Sequence, residues 1–431
     1  MEKPPSSQPL GDMPAFPLDK MPETSSVPAG AKQSVYPMVA IPVAMLGLIV
    51  ALLPPLLVTM ALRLREMDAD AVTGNLSLVL GIGAFFAFVA NPIGGRLSDR
   101  SMSRFGMRKP WIVLGGAIGY IGIVIITFSP NVGFLILGWS ITSVGFNFAL
   151  AALIAMLPDQ IRPSRRGRVA SFVSLAQNLA PVGATYIVQL FPMGLAQSLV
   201  PSALGLVLVF VMIAGVKDRR RTEPPKESLD LKTVFGSFVF NPRKFPDLGW
   251  AWLTRFFLVV AQATALGYLV LFLIDHLGVS PADAPNLVFQ ATLANAVGIL
   301  LTTTVLGWLS DKLGRRKPFV VASALIAVVG LTIMAFAPDF TWVLAGQLIL
   351  GGGMGAFFAV DLALISDVLP SEEDSGKDLG VVNIAQALPQ SLVPIAAPGV
   401  VAAFGYPGLF LGGAFFGVLG ALAVLRVKKV R

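Results

Sequence analysis

The stretch LGWLSDKLGRRKP, residues 306–318, decides the fold, because the chain carries an altered copy of it earlier on. GGRLSDR around Asp99 matches LGWLSDK around Asp311, and the ArgLysPro ending at Pro110 matches the one ending at Pro318, 208 residues later. Working outward, Asp159 with Pro163 matches Asp367 with Pro370, and Gly167 matches Gly376. AQNLAP ending at Pro181 then matches AQALP ending at Pro389. Loops and helices agree together at a spacing near half the chain, which is the mark of a duplicated fold.

The solvent for that fold is lipid. Of 431 residues 55% are hydrophobic and 13% charged, more apolar than a water-facing surface tolerates. Crossing the hydrocarbon core takes about 20 apolar residues in a helix, and such stretches follow one another with short polar breaks. They predict helices near 38–62, 73–93, 111–128, 133–157, 169–191 and 196–216, then 249–274, 286–309, 319–337, 341–368, 379–404 and 407–426. The reading is an all-α membrane protein with twelve transmembrane helices in two pseudo-symmetric six-helix bundles.

An even number of spans puts both termini on one side, and the basic residues say which. Arg96, Arg100, Arg104, Arg108 and Lys109 follow helix 2; Arg162, Arg165, Arg166 and Arg168 follow helix 4; Lys312, Arg315, Arg316 and Lys317 follow helix 8. The loops after helices 3, 5, 9 and 11 carry no Lys or Arg. Basic residues gather in short cytoplasmic loops, so both termini are expected in the cytoplasm and the net charge of +8 is topological. A nucleic-acid partner is not expected, since no basic domain exists. The predicted organisation is a proline-rich disordered tail (1–35), an N-terminal bundle (36–216), a central cytoplasmic loop (217–248), a C-terminal bundle (249–426) and a short tail (427–431). No apolar signal-peptide core precedes helix 1.

Gly307, Leu309, Asp311, Gly314, Arg315, Arg316 and Lys317 resemble the signature loop of the major facilitator superfamily, and the resemblance covers nearly the whole chain. The first-half copy has an insertion between Asp99 and Gly106, and this longer form resembles the sucrose-proton symporter group and its bacterial relatives in the glycoside-pentoside-hexuronide family. The stretch GKDLGVVNIAQALPQ ending at Gln390 is similar to the same group. The resemblance implies a gradient-driven transporter in the plasma membrane, working by alternating access and as a monomer, on a small-molecule substrate. It also implies that Asp99 and Asp311 face the starts of helices 11 and 5, latching the cytoplasmic side when the protein faces outward. Gly95 and Gly307 are expected to let helices approach closely, with Arg100, Gly106, Arg108, Lys109, Gly314, Arg315, Arg316 and Lys317 completing the gate. The bland alternative for each cation is that it only fixes topology.

Charge inside a span is expensive and marks function by default. Arg255 lies about one turn into helix 7 beyond Trp250 and Trp252, and Asp361 lies about two and a half turns before Pro370 in helix 10. The resemblance implies that helices 7 and 10 line the central cavity. An arginine side chain spans the depth difference of roughly 8 Å between the two positions, so an ion pair that a proton makes and breaks is expected. The competing reading has Arg255 snorkelling to the interface and Asp361 in a packing contact. Asp275, beside the single histidine His276 at the outer end of helix 7, is the other acidic coupling candidate; His276 itself reads as a solvated loop residue, with pH sensing as the alternative.

The amides Asn147, Gln177, Asn178, Gln262, Gln290, Asn295, Asn383 and Gln386, with Phe358, are the candidates for a substrate cavity. Amides in membranes either bind hydroxylated solutes or hold helices together. Phe146, Phe148, Phe357 and Tyr268 are offered alike to a sugar face or a greasy drug. No phosphate loop, catalytic triad or metal-ligand cluster is present in the sequence, and there is no cysteine, so no enzyme activity, cofactor or metal is expected. Helices 1, 2 and 4 carry no acidic residue in their cores, so the sodium site of the family's melibiose branch has no counterpart. That leaves proton coupling through Asp361 or Asp275, or no coupling, and the expectation is proton-coupled uptake of a sugar or glycoside, with proton-driven export of a hydrophobic metabolite or drug as the alternative.

Overall fold

The computed structural model describes residues 34–220, 245–313, 315–368 and 375–428, without the side chains at 311, 362, 363, 366–368 and 375–383. Within these, α1 spans Val35–Met67, α2 Val72–Asp99, α3 Lys109–Thr127, α4 Val132–Gln160, α5 Pro163–Gln189 and α6 Leu195–Ala214. α7 begins as Pro246–Gly267 and bends by 44° into Leu269–His276. α8 spans Ala284–Leu313, α9 Lys317–Ala335 and α10 Phe340–Val368. The last helical run, Ser375–Leu425, is broken at Gly405, whose φ of 68° no α-helix accommodates, into α11 (375–404) and α12 (406–425).

By apolar length alone the described residues hold nine spans, or ten with the bent α7. Dividing the last run at Gly405 and adding the polar α5 brings the twelve helices of the sequence reading. Most helices overrun their predicted ends. α2 continues to Asp99 and α5 begins at Pro163, because hydropathy marks only the stretch in hydrocarbon while the backbone ladder runs on into the headgroup layer. Proline at the first helical position of α5 costs no hydrogen bond.

The duplication is legible in the packing. A Cβ added to Gly122 on α3 would lie 2.5 Å from the Gly138 carbonyl of α4, and one on Gly330 of α9 would lie 2.7 Å from the Gly346 carbonyl of α10. Gly145 against Gly115 and Gly353 against Ser323 repeat the relation at 2.6 Å each. Backbones that touch this closely exclude any side chain and give the interhelical dispersion that drives association in lipid. Both bundles also interrupt their first helix. Pro54 and Pro55 remove two amide donors from α1, and a π turn follows at Pro55–Thr59, where the Met60 amide reaches back to the Pro55 carbonyl. α7 has its own π turn at Phe272–His276. Such turns occur where gating helices bend.

One end of the molecule carries the start of α1 and the end of α12. There the Tyr36 hydroxyl donates to the Met212 carbonyl of α6 at 2.9 Å, and the Lys428 amide donates to Asp247 of α7 at 2.8 Å. This is the terminal end below. The two bundles meet through α2 with α11 and α5 with α8, as at Gly81 beside Ile395 and at the Tyr186 and Phe289 rings, 5.4 Å apart.

Candidate functional site

Inside the second bundle, Arg255 of α7 donates from Nη1 to Asp361 Oδ2 of α10 at 2.6 Å, with the two side chains 13% and 2% exposed. Nη2 lies 3.4 Å from the Gln386 side-chain oxygen of α11. Three helices thus converge on one buried ion pair. Among the described residues Asp361 Oδ1 and Arg255 Nε are buried with no partner, so within these the pair is underfilled on both sides. Burying two charges is offset only when their geometry is good and their remaining hydrogen-bond capacity is met; here the first condition holds and the second does not. The repeat sharpens this. Gly145 with Gly353 and Asp159 with Asp367 bracket the register of α4 and α10, and that register sets Leu153 opposite Asp361. The charge belongs to one half only.

At the end opposite the termini a second cluster joins the bundles. Asp275 of α7 pairs with Arg65 of α1 and accepts from the Tyr406 hydroxyl at 2.8 Å. Tyr406 is also 3.1 Å from the Thr73 hydroxyl of α2, and the buried Tyr268 hydroxyl lies 2.7 Å from Ser77, also of α2. Rings brace it: Phe272 meets Tyr406 at 6.3 Å and Phe410 at 4.9 Å, both edge-on. Asp275 therefore stands far from Asp361 and sits in a contact between the halves. His276 is exposed and stacks on Phe272 at 5.1 Å.

A third cluster occupies the terminal end. The buried Arg108 donates to Asp99 at 2.5 Å, to Ser98 at 2.7 Å and to Asp159 at 2.9 Å. Asp99 is 55% exposed. Gly106 has a φ of 114°, a conformation that side chains resist. Arg100 terminates α2, and the Lys109 ammonium donates to the Ala214 carbonyl at 2.9 Å. The close approach expected at Gly95 is found one residue earlier. A Cβ on Gly94 would lie 2.8 Å from the Phe148 backbone, whereas one on Gly95 would meet only the Ala151 side chain at 3.9 Å, because the 100° step per residue turns Gly95 off the line of closest contact with α4. Gly307 is closer, at 3.3 Å from Ala359. In the second copy Arg315 is exposed and Arg316 and Lys317 are half-buried. Gly314 and the side chain of Asp311 lie outside the described residues.

The amide candidates scatter. Asn295 is buried and donates to the Gln347 carbonyl at 3.2 Å and to its side chain at 3.0 Å, so it is spent on joining α8 to α10. Asn147 donates to the Ser143 carbonyl and meets Asn91 of α2 at 3.4 Å. Asn178 bonds within its own helix to Ser174, and Gln290 to Asn286. Gln177 is exposed; Gln262, Gln386 and Phe358 are half-buried. The Asn383 side chain lies outside the described residues. Of the aromatics, Phe146, Phe357 and Tyr268 are fully buried in packing and offer no face to a solute.

Arg65, Thr73, Ser77, Tyr406 and Asp218 escaped the sequence reading. Ordinary loop and helix-end residues carry no periodic signal, and only GYPG at 405–408, a break inside an apolar run, pointed at Tyr406.

Comparison with known proteins places this geometry. The family model of the Major Facilitator Superfamily matches residues 39–300 and 285–431. Sucrose transport protein SUC4 of Arabidopsis thaliana is 24% identical over 82% of this chain and 83% of its own length. The multi-drug resistance efflux pump PmrA of Streptococcus pneumoniae is 23% identical over 84% and 90%, and the citrate-proton symporter of Klebsiella pneumoniae 24% over 80% and 82%. Among solved structures, the nucleoside transporter NupG superposes with a TM-score of 0.72 at 14% identity, covering 91% of this chain and all of that one. A bacterial homologue of the human lysosomal transporter Spinster, inward-facing and unoccupied, gives 0.66 at 15% identity over 91% and 95%. With twelve helices in two like bundles and a family model matching from α1 to the carboxyl end, the chain belongs to the Major Facilitator Superfamily and is a membrane transporter.

Proposed function

We propose that the chain imports a sugar or glycoside together with a proton across the plasma membrane, as a monomer with both termini in the cytoplasm. The observation that carries this reading is the buried Arg255–Asp361 pair beside Gln386, with one donor and one acceptor left unfilled by the described residues. A charge pair on one repeat only has no packing duty that its counterpart, Leu153, fails to meet, so its retention in lipid points to coupling. When Arg255 shifts toward substrate, an unpaired carboxylate in that setting is costly, and taking a proton relieves the cost. Hydroxyl groups of a polyol meet such donor and acceptor demands; a greasy drug does not.

The contacts between Arg65 and Asp275 and between Thr73 and Tyr406 close the end opposite the termini. With the terminal end assigned to the cytoplasm by its basic loops, this is an inward-facing state, in which Asp99 rests on Arg108. The domain limits 36–216 and 249–426 follow the same division. The resemblance to PmrA supports a second reading, proton-driven export. A thermal-shift screen separates them, since a ligand stabilises the state it binds. Stabilisation of the purified protein by sucrose or an aryl glycoside supports uptake. Stabilisation by hydrophobic cations alone, together with higher cellular drug accumulation under a protonophore, replaces it with export.

A further inference from the structure

Asp218 lies four residues past the end of α6 and belongs to no span. Its carboxylate nevertheless sits on the first turn of α3, where Oδ2 accepts from the Arg108 amide at 2.6 Å and the Lys109 amide at 2.8 Å. Its neighbours run the same course. The Met107 amide donates to the Arg219 carbonyl at 2.8 Å, and the Gln160 side chain at the end of α4 donates to the Lys217 carbonyl at 2.9 Å. Residues 217–219 thus strap the loop between α2 and α3 to the end of α4. Gly106 is needed here twice over: its φ is 114°, and a Cβ would fall 2.5 Å from Asp218 Cβ and Cγ. A carboxylate at a helix start satisfies orphan amides and meets the positive end of the helix dipole.

Arg108 is therefore gripped at both ends, by Asp218 at its backbone and by Asp99, Asp159 and Ser98 at its guanidinium. We propose that Asp218 is a positioning residue of the cytoplasmic gate, fixing the first turn of α3 so that Arg108 presents Asp99 in the orientation that closing the gate requires. The proposal rests on the reading of Asp99 and Arg108 as a gate. The cap itself stabilises open and closed states alike. The difference arises because only the closed state needs Asp99 ordered, and pre-ordering it lowers the entropy cost of closure.

The chain has no cysteine, so spin labels at Phe105→Cys and Leu313→Cys, both exposed, report the distance between the halves at the cytoplasmic end without background. In nanodiscs, Asp218→Ala is expected to lower the ratio of closed to open populations about five-fold, the scale of the entropy cost of ordering one side chain. Asp218→Asn keeps the acceptor oxygen and is expected to restore most of it. A wild-type distribution for Asp218→Ala, with a shifted one for Arg108→Gln, overturns the proposal alone. A wild-type distribution for both overturns it together with the gate reading. Should Asp218→Ala not fold, amide exchange at residues 107–109 decides: slow exchange in the wild type that Asp218→Asn largely keeps supports the strap, and free exchange in the wild type contradicts it.

Discussion

The Tyr406 hydroxyl donates to Asp275 at 2.8 Å and stands 3.1 Å from Thr73 in the other bundle. One phenol thereby joins the acid that pairs with Arg65 to the helix that the far half presents. Gly405 makes this possible, because its positive φ ends α11 and turns Tyr406 back toward α2. Tyr406→Phe removes the hydroxyl and keeps the ring contacts with Phe272. A neutral hydrogen bond is worth about 1 kcal/mol, so the ratio of protein open to protein closed at the end opposite the termini is expected to rise about five-fold. Distance measurements between labels at the ends of α1 and α7 check this; an unchanged ratio removes Tyr406 from the gate.

Breaking the buried ion pair on one side leaves the other charge uncompensated. Arg255→Gln is expected to destabilise by about 3–5 kcal/mol. The double variant Arg255→Gln/Asp361→Asn is expected to recover much of that loss, because two neutral amides replace one stranded carboxylate. Denaturation in detergent measures both. A double variant less stable than the sum of its singles contradicts a pair underfilled in its hydrogen bonds.

Gly122→Ala and Gly330→Ala press a methyl group against a backbone carbonyl, at 2.5 and 2.7 Å. Overpacking of this kind costs about 1–3 kcal/mol, and the two variants are expected to lose similar stability because the contacts are copies. Gly95→Ala, with 3.9 Å of room, is expected to be neutral in the same assay.

Burial holds the Asp218 carboxyl above the usual carboxylate range, although the amides of Lys109, Arg108 and Arg219 and the charge of Arg108 pull it down. A folded-state value raised above the unfolded one favours the protonated form. Its stabilising contribution is complete below the unfolded value and is lost as pH rises through the folded one. The melting temperature of the wild type relative to Asp218→Asn is therefore expected to climb as pH falls from neutral into the carboxylate range. A difference independent of pH refutes the burial account.

Much of this architecture was legible from residues because lipid imposes one rule: a span is apolar and helical. The repeat of Asp99 and Asp311 disclosed the duplication, and charge in hydrocarbon singled out Arg255 and Asp361. What stayed hidden obeys no such rule. Asn295 and Asn147 look alike as amides in apolar helices, yet Asn295 is consumed by Gln347 and Asn147 by Ser143; which partner an amide finds depends on helix rotation, which hydropathy does not report. Asp218 is an ordinary acid in a basic loop until the chain folds it onto α3.

The claim that a proton is coupled to transport through Asp361 is tested most directly in proteoliposomes by comparing two modes of uptake of radiolabelled sucrose. Asp361→Asn is expected to keep sucrose counterflow, which needs only alternating access, and to lose accumulation driven by an imposed pH gradient. Accumulation at the wild-type level in Asp361→Asn contradicts the account.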